Sequence, residues 1–450
     1  MPQRNVVILA AGKGTRMKSA RAKIMHEIMG KPMIAYVIER AKELDPAKII
    51  VVIGHEKETV EAYLRESGVT IVVQEEQKGT AHALLAAAPH LDDGDVLVLY
   101  GDVPLITMET LIEFSKAFEA ADGIAFMTTE VDDPTGYGRM ILEGNAVLHI
   151  VEDADANEIQ KKIRVINTGI CMLRHDMLEL ARAVTPNNAK GEYYLTDICH
   201  IARQRRHWVL AHHHADAEEV LGINTRRDLL KANVTMRHKI LDRLMEDGVS
   251  ILDRDTYVDD TVRIGRDTII YPHSFISGKT IIGEGVLVGP YVVIKDSVLA
   301  DGVFIEGFSS LDGVTAEADV KIGPFSRLRP FTHLHAGVKI GNFVEVKNSV
   351  LDENTKANHL AYIGDATVGR DVNIGAGTIT CNYDGKKKHR TTIGDGVFVG
   401  SNTELVAPVT IGSDAVIGAG STITHDVPDG ALAITRAKQK HIEGYSRRKK

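Results

Sequence analysis

The sequence predicts a mainly parallel α/β domain, then a long helix, then a parallel β-helix. Strand-like and helix-like segments alternate through the first half, which is typical of a Rossmann-like, mainly parallel sheet covered by helices. A charged amphipathic segment follows, and beyond it an aliphatic residue returns at every sixth position. We therefore expect the α/β domain over 1–224, a linker helix over 225–248, and the β-helix with a C-terminal tail over 249–450.

The α/β domain begins with an apolar strand over 5–11 that runs into a glycine-rich loop. Further strands are predicted over 49–54, 70–74 and 95–102, with helices over 32–44, 56–67, 79–88 and 107–121. Residues 136–152 and 165–173 have a more antiparallel pattern, which predicts an added lobe. Because ligands of such sheets bind at the carboxyl ends of the strands, we expect the first site at that edge.

The second half is organised by its six-residue period. Three series of aliphatic residues keep this spacing: Val258, Ile264, Ile270, Ile276, Ile282, Val288 and Ile294; then Ile322, Leu328, Leu334, Ile340 and Val346; then Ile393, Val399, Leu405, Ile411, Ile417 and Ile423. The period fits neither an α-helix nor a hairpin meander, and we predict a left-handed parallel β-helix of hexapeptide repeats. The count breaks at 381–388, where inserted residues must leave the solenoid as a loop, so we predict a binding loop there.

Composition excludes several classes of protein. The formal net charge of -8 argues against nucleic acid as the main partner. No apolar run approaches the roughly 20 residues of a membrane span, and the first residues lack a signal-peptide pattern, so we expect a cytoplasmic protein. The three cysteines, Cys171, Cys199 and Cys381, have no paired spacing and indicate neither a zinc site nor a disulfide framework. The basic end at 447–450 is predicted to be a solvated tail.

The glycine-rich loop is the first candidate binding element. Gly12 and Gly14 directly follow a strand and leave backbone amides uncovered, and Lys13 and Arg16 beside them favour a triphosphate over a tight structural turn. The string Leu-Ala-Ala-Gly-Lys-Gly-Thr-Arg-Met at 9–17, with Lys23 following, resembles the signature of sugar-1-phosphate nucleotidyltransferases. Together with the hexapeptide repeats, the whole chain resembles the bacterial family of bifunctional N-acetylglucosamine-1-phosphate uridylyltransferases and glucosamine-1-phosphate acetyltransferases.

This resemblance implies two reactions in the synthesis of UDP-N-acetylglucosamine for peptidoglycan and lipopolysaccharide of the cell wall. Acetyl-coenzyme A would first acetylate glucosamine-1-phosphate. UTP would then uridylylate the N-acetylglucosamine-1-phosphate with Mg²⁺ and release pyrophosphate. The resemblance also implies a homotrimer. One position departs from the family, because Ala22 stands where the family has proline directly before the motif lysine.

In the first half, the resemblance implies that Arg16 and Lys23 are catalytic and that Asp102 and Asn224 bind Mg²⁺. Asp102 follows a strand, where a metal carboxylate is expected, although the residues alone leave a capping role open. The residues implied to bind UTP or UDP-N-acetylglucosamine are Leu9, Ala10, Ala11, Gly12, Gly14, Lys23, Gln74, Gly79, Thr80, Tyr100, Asp102, Gly138, Glu152, Asn167 and Asn224.

In the β-helix, the resemblance implies that His359 takes a proton from the glucosamine amine. His359 lies off the repeat register, and imidazole suits proton transfer near neutral pH, although the residues alone leave a solvated surface histidine as the alternative. Lys386–Lys388 either attract coenzyme phosphates or are simply solvated. The residues implied to bind glucosamine-1-phosphate or acetyl-coenzyme A are Arg329, Lys347, Tyr362, Asn373, Ala376, Asn382, Tyr383, Ser401, Ala419 and Arg436.

Two other hypotheses remain open at this stage. The first is a nucleotidyltransferase with one activity, whose β-helix only assembles subunits; the off-register His359 and the inserted loop speak against it. The second is a scaffold without catalytic activity that binds nucleotide sugars as signals. Asp102 and the intact glycine loop speak against that hypothesis.

Overall fold

The computed structural model describes residues 4–445, so the predicted basic tail at 447–450 lies outside the described residues. The chain forms two compact units, one ending at Met236 and one beginning at Arg237. This boundary falls inside the helix Arg226–Glu246, which fills most of the segment predicted as a linker. The domain limits after 224 and 248 stay predictions, because a division inside a helix does not define either of them.

The first unit contains a nine-stranded sheet, a two-stranded hairpin and several helices. The strands are β1 Arg4–Ala10, β2 Glu27–Ile28, β3 Lys31–Pro32, β4 Lys48–Ile53, β5 Thr70–Val73, β6 Asp95–Tyr100, β7 Ile124–Glu130, β8 Arg139–Glu143, β9 Ala146–Val151, β10 Val165–Leu173 and β11 Leu210–His213. The helices are α1 Met33–Glu43, α2 Lys57–Leu64, α3 Thr80–Ala87, α4 Met108–Phe118, α5 Leu178–Arg182, α6 Ile198–Gln204 and α7 Ala217–Val220, and α8 Arg226–Glu246 contains the boundary between the units. No helix within residues 4–445 has the length and apolar character that a membrane span needs.

The sheet order is β5-β4-β1-β6-β10-β7-β11-β9-β8, with β2 and β3 forming a separate hairpin. Strands β5, β4, β1 and β6 pair in parallel. The predicted antiparallel lobe is present, because β8 pairs antiparallel with β9 and β10 pairs antiparallel with both β6 and β7. Alternate residues of β1 enter the cores on opposite faces of the sheet, so both faces are covered.

The second unit is a parallel β-helix whose short strands stack in three sheets. The first sheet contains Ser250–Ile251, Ile269–Ile270, Leu287–Val288, Phe304–Ile305, Lys321–Ile322, Lys339–Asn342, Lys356–His359, Asn373–Ile374, Phe398–Val399, Val416–Ile417 and Leu432–Ala433. The second contains Tyr257–Val258, Phe275–Ser277, Val293–Lys295, Ser310–Asp312, Arg327–Leu328, Glu345–Lys347, Tyr362–Gly364, Ile379–Cys381, Glu404–Val406 and Thr422–Ile423. The third contains Arg263–Ile264, Ile281–Ile282, Val298–Leu299, Val314–Ala316, Thr332–Leu334, Val350–Leu351, Ala366–Val368, Thr391–Ile393 and Val409–Ile411.

The six-residue series identifies the core of this β-helix. Every member of the three series except Ile264 is buried, with at most 3% of its surface exposed. Ile264 is half-buried, and its strand is the first of the third sheet. The predicted fold class, an α/β unit followed by a parallel β-helix, is therefore confirmed.

The strand Ile281–Ile282 offers a matched test of the repeat. Ile282 is 2% exposed and Ile281 is 50% exposed, although the two residues are chemically identical neighbours. Ile282→Ala should lower the free energy of unfolding by about 2–5 kcal/mol, because it leaves a cavity in the core. Ile281→Ala should change it by less than about 1 kcal/mol. Chemical denaturation measures the free energy of unfolding of both variants. Equal losses of stability would contradict the conclusion that Ile282 points into the core and Ile281 points outward.

Candidate functional site

The glycine loop lies where β1 ends, and its two glycines have different surroundings. Gly14 has a φ of +59°, and a Cβ there would lie 2.6 Å from Cβ of Lys23. A Cβ added at Gly12 would have no other atom within 4 Å. Gly14 is therefore required by its left-handed backbone conformation and by the close approach of the Lys23 side chain. Gly12 has no side chain to cover the backbone amides of the loop.

This loop borders a cavity of about 770 Å³ at the carboxyl ends of the parallel strands. The predicted residues that line it are Leu9, Ala10, Ala11, Gly12, Gly14, Arg16, Lys23, Gln74, Gly79, Thr80, Tyr100, Asp102, Glu152 and Asn224. Gly138 and Asn167 do not line it and lie behind Glu152. A Cβ at Gly138 would be 3.4 Å from Oε1 of Glu152, and the amide of Asn167 donates to the carbonyl of Gly138 over 2.8 Å.

Four charged and polar side chains meet at one side of the cavity. The ammonium group of Lys23 pairs with Asp102 and donates to Oδ1 of Asn224 over 2.7 Å. Arg16 donates to the same Asn224 oxygen over 2.8 Å. The side-chain oxygens of Asp102 and Asn224 thus both contact the ammonium group of Lys23. Hard oxygen ligands of this kind suit Mg²⁺. The residues present therefore fit the ion that the resemblance implies.

Asn224 is held in place by the start of α8. Oδ2 of Asp228 accepts from the amides of Asn224 and Thr225, over 3.0 and 2.8 Å, and the Thr225 hydroxyl accepts from the amide of Asp228 over 3.2 Å. This reciprocal pattern is a capping box, which fixes the entry of the chain into a helix. The amide of Ile223 also donates to the carbonyl of Asp102 over 2.9 Å, so the two predicted metal ligands are positioned together.

The side of the cavity near α3 is lined by polar groups with fixed positions. Gln74 is buried, and its amide nitrogen contacts the carbonyl of Gly79 at 3.1 Å and Nδ1 of His82 at 2.8 Å. Gly79 has a φ of +118°, and a Cβ there would lie 2.5 Å from the carbonyl oxygen of Tyr193. Only glycine fits this close backbone approach. Sequence reasoning missed Lys190 and Glu192, which line the cavity from the same distant segment as Tyr193.

Glu152 and Tyr100 complete the cavity. Burial raises the pKa of the Glu152 carboxyl, and a 3.0 Å hydrogen bond from the Thr196 hydroxyl to Oε1 opposes that shift. Burial also raises the pKa of the Tyr100 hydroxyl, which is neutral near pH 7 even at its ordinary pKa. The ring of Tyr100 packs so closely on Gly169 that a Cβ there would lie 2.7 Å from it. A partly desolvated carboxyl and a neutral hydroxyl suit hydrogen bonding to an uncharged ligand group.

In the β-helix, His359 is exposed at the end of the strand Lys356–His359. Its Nδ1 lies 3.0 Å from Oδ1 of Asn342, which occupies the paired position in the preceding coil. With Nδ1 donating to this oxygen, the neutral ring presents an unprotonated Nε2. The geometry therefore suits proton acceptance at Nε2.

A cluster of three cations lies on the same unit. The pKa of Lys347 is lowered, chiefly by the adjacent side chain of Lys388, and further by desolvation and the charge of Arg329. Arg329 donates to Oε1 of Glu345 over 2.9 Å. The charge of Asp365 opposes this lowering of the Lys347 pKa. A group of neighbouring like charges favours binding of an anion that neutralises them. Sequence reasoning left Lys388 undecided between coenzyme phosphates and solvent, because its proximity to Lys347 depends on how the inserted loop folds back.

The inserted loop also positions Asn382 and Tyr383. The side-chain amide of Asn382 donates to the Tyr362 hydroxyl over 3.3 Å and also contacts Asp365. Tyr383 is 61% exposed, and its hydroxyl donates to the carbonyl of Gly385 over 2.7 Å. Asp384 accepts from the amides of Lys386 and Lys387, over 2.7 and 2.6 Å, and these bonds and His389 lower its pKa to about 2. The loop is thus ordered by its own contacts.

The remaining predicted residues of this site follow successive coils. Asn373 begins the strand beside Lys356 and is half-buried. The backbone amide of Asn402 donates to the carbonyl of Ala376 over 2.7 Å, and the backbone amide of Gly420 donates to the carbonyl of Ser401 over 2.8 Å. A Cβ at Gly400 would lie 2.5 Å from the Ala419 nitrogen, and one at Gly418 would lie 3.6 Å from Arg436. Ala376, Ser401, Ala419 and Arg436 therefore form a column, while Tyr383 belongs to the loop.

The backbone at Ala22 explains how the chain tolerates its departure from the resembled family. Ala22 has φ −51° and ψ 135°, which lies within the range that proline imposes. The turn Lys23–Met25 follows directly, so Lys23 keeps its place without the ring.

We therefore predict that Ala22→Pro raises the free energy of unfolding by about 0.4–1 kcal/mol, because proline restricts the unfolded chain. Ala22→Gly should lower stability, since glycine loosens the unfolded chain. Thermal unfolding of both variants checks the two directions. A destabilised Ala22→Pro would contradict the argument, because it would mean that the ring does not fit this buried position.

Comparison with known proteins places these two units in context. The family described as MobA-like NTP transferase domain matches residues 6–168, and the bacterial transferase hexapeptide family (six repeats) matches residues 390–425. The bifunctional protein GlmU of Heliobacterium modesticaldum is 47% identical, covering 100% of this chain and 99% of that relative. The bifunctional protein GlmU of Thermosipho africanus is 48% identical, covering 99% and 97%.

Among solved structures, a UDP-glucose pyrophosphorylase complexed with UDP-glucose is 20% identical with a TM-score of 0.44. The similarity covers 53% of this chain and 100% of that one.

Proposed function

The chain belongs to the family of bifunctional GlmU proteins, and from this premise we propose how its two sites divide the work. The protein is a bifunctional transferase with a uridylyltransferase and an acetyltransferase activity. We assign uridylyl transfer to the cavity of the first unit and acetyl transfer to the β-helix around His359. One observation supports the assignment: each set of implied residues lies within a single unit, where Lys23 lines the cavity of the first unit and His359 and Lys347 belong to the second.

Acetyl transfer comes first in the proposed sequence. The glucosamine nitrogen attacks the thioester carbonyl of acetyl-coenzyme A, a C–N bond forms and the C–S bond breaks. Nε2 of His359 takes the amine proton, and the departing thiolate is protonated to the free thiol. Arg329, Lys347 and Lys388 would bind the sugar phosphate, and Asn373 and Tyr362 would position the sugar. The column that includes Ala376, Ser401, Ala419 and Arg436, with Asn382 and Tyr383 of the loop, would hold the coenzyme and its acetyl group.

Uridylyl transfer follows in the cavity. A phosphate oxygen of N-acetylglucosamine-1-phosphate attacks the α-phosphorus of UTP in line, and pyrophosphate leaves. The backbone around Gly12 and Gly14 would bind phosphates, and Arg16 and Lys23 would offset their charge. Gln74, Gly79 and Thr80 would contact the uracil, whose edge a fixed amide can recognise by hydrogen bonds.

The sugar would lie against Glu152 and Tyr100, supported by Gly138 and Asn167. Asp102 and Asn224 would hold Mg²⁺, which neutralises phosphate charge when it is bound. We place both reactions in the cytoplasm, where UTP and acetyl-coenzyme A are available.

We further propose that the protein acts as a homotrimer with cyclic symmetry. A column of exposed rings supports an interaction surface on the β-helix: Tyr291, Phe308, Phe325 and Phe343 stack at centroid distances of 5.0–5.5 Å. Each of the four rings is between 48% and 55% exposed. Exposed apolar side chains that lie next to one another in this way support an association surface on the β-helix.

Two substitutions should separate the activities. His359→Asn should lower acetyl transfer by about 10²–10⁴-fold, because it removes the proton acceptor, and leave uridylyl transfer within about twofold. Asp102→Asn should lower uridylyl transfer about a hundredfold at limiting Mg²⁺, with partial recovery at high Mg²⁺, and leave acetyl transfer unchanged. Thiol and pyrophosphate release measure the two reactions. A folded His359→Asn variant with full acetyl transfer would contradict the role of His359 as the proton acceptor, and a wild-type protein without thiol release would support the single-activity hypothesis.

The cation cluster gives a second test. Lys388→Met should raise KM for glucosamine-1-phosphate in acetyl transfer about tenfold, because a charge-assisted contact contributes about 1.5–3 kcal/mol. Lys386→Met is the matched control, since Lys386 lies in the same loop and gives its backbone amide to Asp384. It should change this KM less than about twofold. An increase in KM for acetyl-coenzyme A alone would assign Lys388 to the coenzyme instead.

A further inference from the structure

Two histidines and one glutamate meet on the outer surface of the third sheet, in a place that neither transfer reaction uses. His333 and His335 lie on and just after the strand Thr332–Leu334, and Glu317 follows Val314–Ala316 in the preceding coil. Successive strand residues point to opposite faces, so His333 and His335 both face outward, while Leu334 between them is completely buried. The repeat that buries Leu334 therefore presents both imidazoles on one side.

The coil register brings Glu317 to both histidines. Thr315 pairs with His333 and Ala316 with Leu334, and the amide of Glu317 donates to the carbonyl of Leu334 over 2.9 Å. Oε1 of Glu317 lies 3.2 Å from Nε2 of His333 and 2.9 Å from Nδ1 of His335. The two imidazole rings stack with their centroids 4.4 Å apart. Three potential ligand atoms thus occupy one small region.

We propose that Glu317, His333 and His335 form a binding site for a divalent transition metal such as Zn²⁺. One ligand atom from each residue lies within 4.8 Å of the other two. Zinc binds imidazole nitrogen and carboxylate oxygen at about 2.0–2.2 Å, which places tetrahedral ligand atoms roughly 3.3 Å apart. The two separations from the Glu317 oxygen are close to that value, and metal binding would require side-chain rotations that turn the two stacked imidazoles toward one ion.

The donor set selects the class of metal. Imidazole nitrogen favours Zn²⁺, Co²⁺, Ni²⁺ or Cu²⁺ over Mg²⁺, which prefers oxygen ligands. The site therefore differs in chemistry from the oxygen ligands Asp102 and Asn224. The three side chains are between 30% and 41% exposed, so an ion can reach them and keep solvent in its remaining positions. Bound metal would link two consecutive coils of the β-helix.

The test uses untagged full-length protein, stripped with a chelator and kept in excess Mg²⁺ so that Asp102 and Asn224 do not take up the probe. Co²⁺ is the probe, because its visible absorption reports nitrogen and oxygen coordination, and calorimetry counts the equivalents bound. Wild-type protein should bind one more equivalent of Co²⁺ per chain than His333→Gln/His335→Gln. Zn²⁺ should also raise the melting temperature of the wild type and leave that of the double variant unchanged.

His207→Gln is the matched control. His207 contacts Asp122 at 3.1 Å and has a similar exposure of 34%, and within residues 4–445 this pair belongs to no group of three potential metal ligands. This variant should bind Co²⁺ as the wild type does. Glu317→Gln, which preserves side-chain shape, should weaken binding by roughly a hundredfold and covers the case in which the double variant fails to fold. Equal binding by the wild type and a folded variant would overturn the proposal and leave a hydrogen-bonded cluster only.

Discussion

Parallel strand pairing determines where the functional side chains of this protein lie. In the first unit, Leu9 pairs with Tyr100, so the glycine loop and Asp102 leave the sheet at the same edge. In the β-helix, Asn342 pairs with His359, and the same stacking places Thr315 beside His333. Parallel pairing needs long connections between neighbouring strands. Residues that are far apart in sequence therefore meet, and sites form without any continuous motif.

Elements with one repeated pattern could be predicted from the sequence. The six-residue count identified the inward residues, because each short strand buries an aliphatic side chain, and only Ile264 among the three series is half-buried. The strands and helices that apolar patterning predicted in the first unit match the structure to within a few residues. The elements that it did not predict are β2, β3, β7, β11, α5, α6 and α7. The broken count at 381–388 predicted the inserted loop. In each case the pattern and the structure share one local physical cause.

Contacts between coils could not be predicted in the same way. Paired positions are 17 residues apart for His359 and Asn342, but contacts across neighbouring coils span 25 residues for Arg370 and Asp395, because an inserted loop lies between them. The six-residue period therefore does not predict which side chains contact each other in neighbouring coils. The approach of Lys388 to Lys347, and of Glu317 to both histidines, depends on this variable coil length. The contact of Lys23 with Asp102 likewise depends on the three-dimensional loop path.

The two proposed sites have side chains that suit different reactions. The cavity of the first unit collects cations, backbone amides and hard oxygen ligands, which suit a reaction that depends on phosphate positioning and charge neutralisation. The β-helix supplies an exposed imidazole and a cation cluster, which suit deprotonation of an amine on a phosphorylated sugar. Acetylation at the second site produces the acceptor that the first site uses. The account therefore requires a fixed order of reactions within one protein.

The most direct measurement follows thiol and pyrophosphate release when the protein is given glucosamine-1-phosphate, acetyl-coenzyme A, UTP and Mg²⁺. Both products should form, thiol release should not need UTP, and pyrophosphate release should stop when acetyl-coenzyme A is left out. Pyrophosphate release at the full rate without acetyl-coenzyme A, or an absence of thiol in the complete mixture, would contradict the proposed sequence of two transfers.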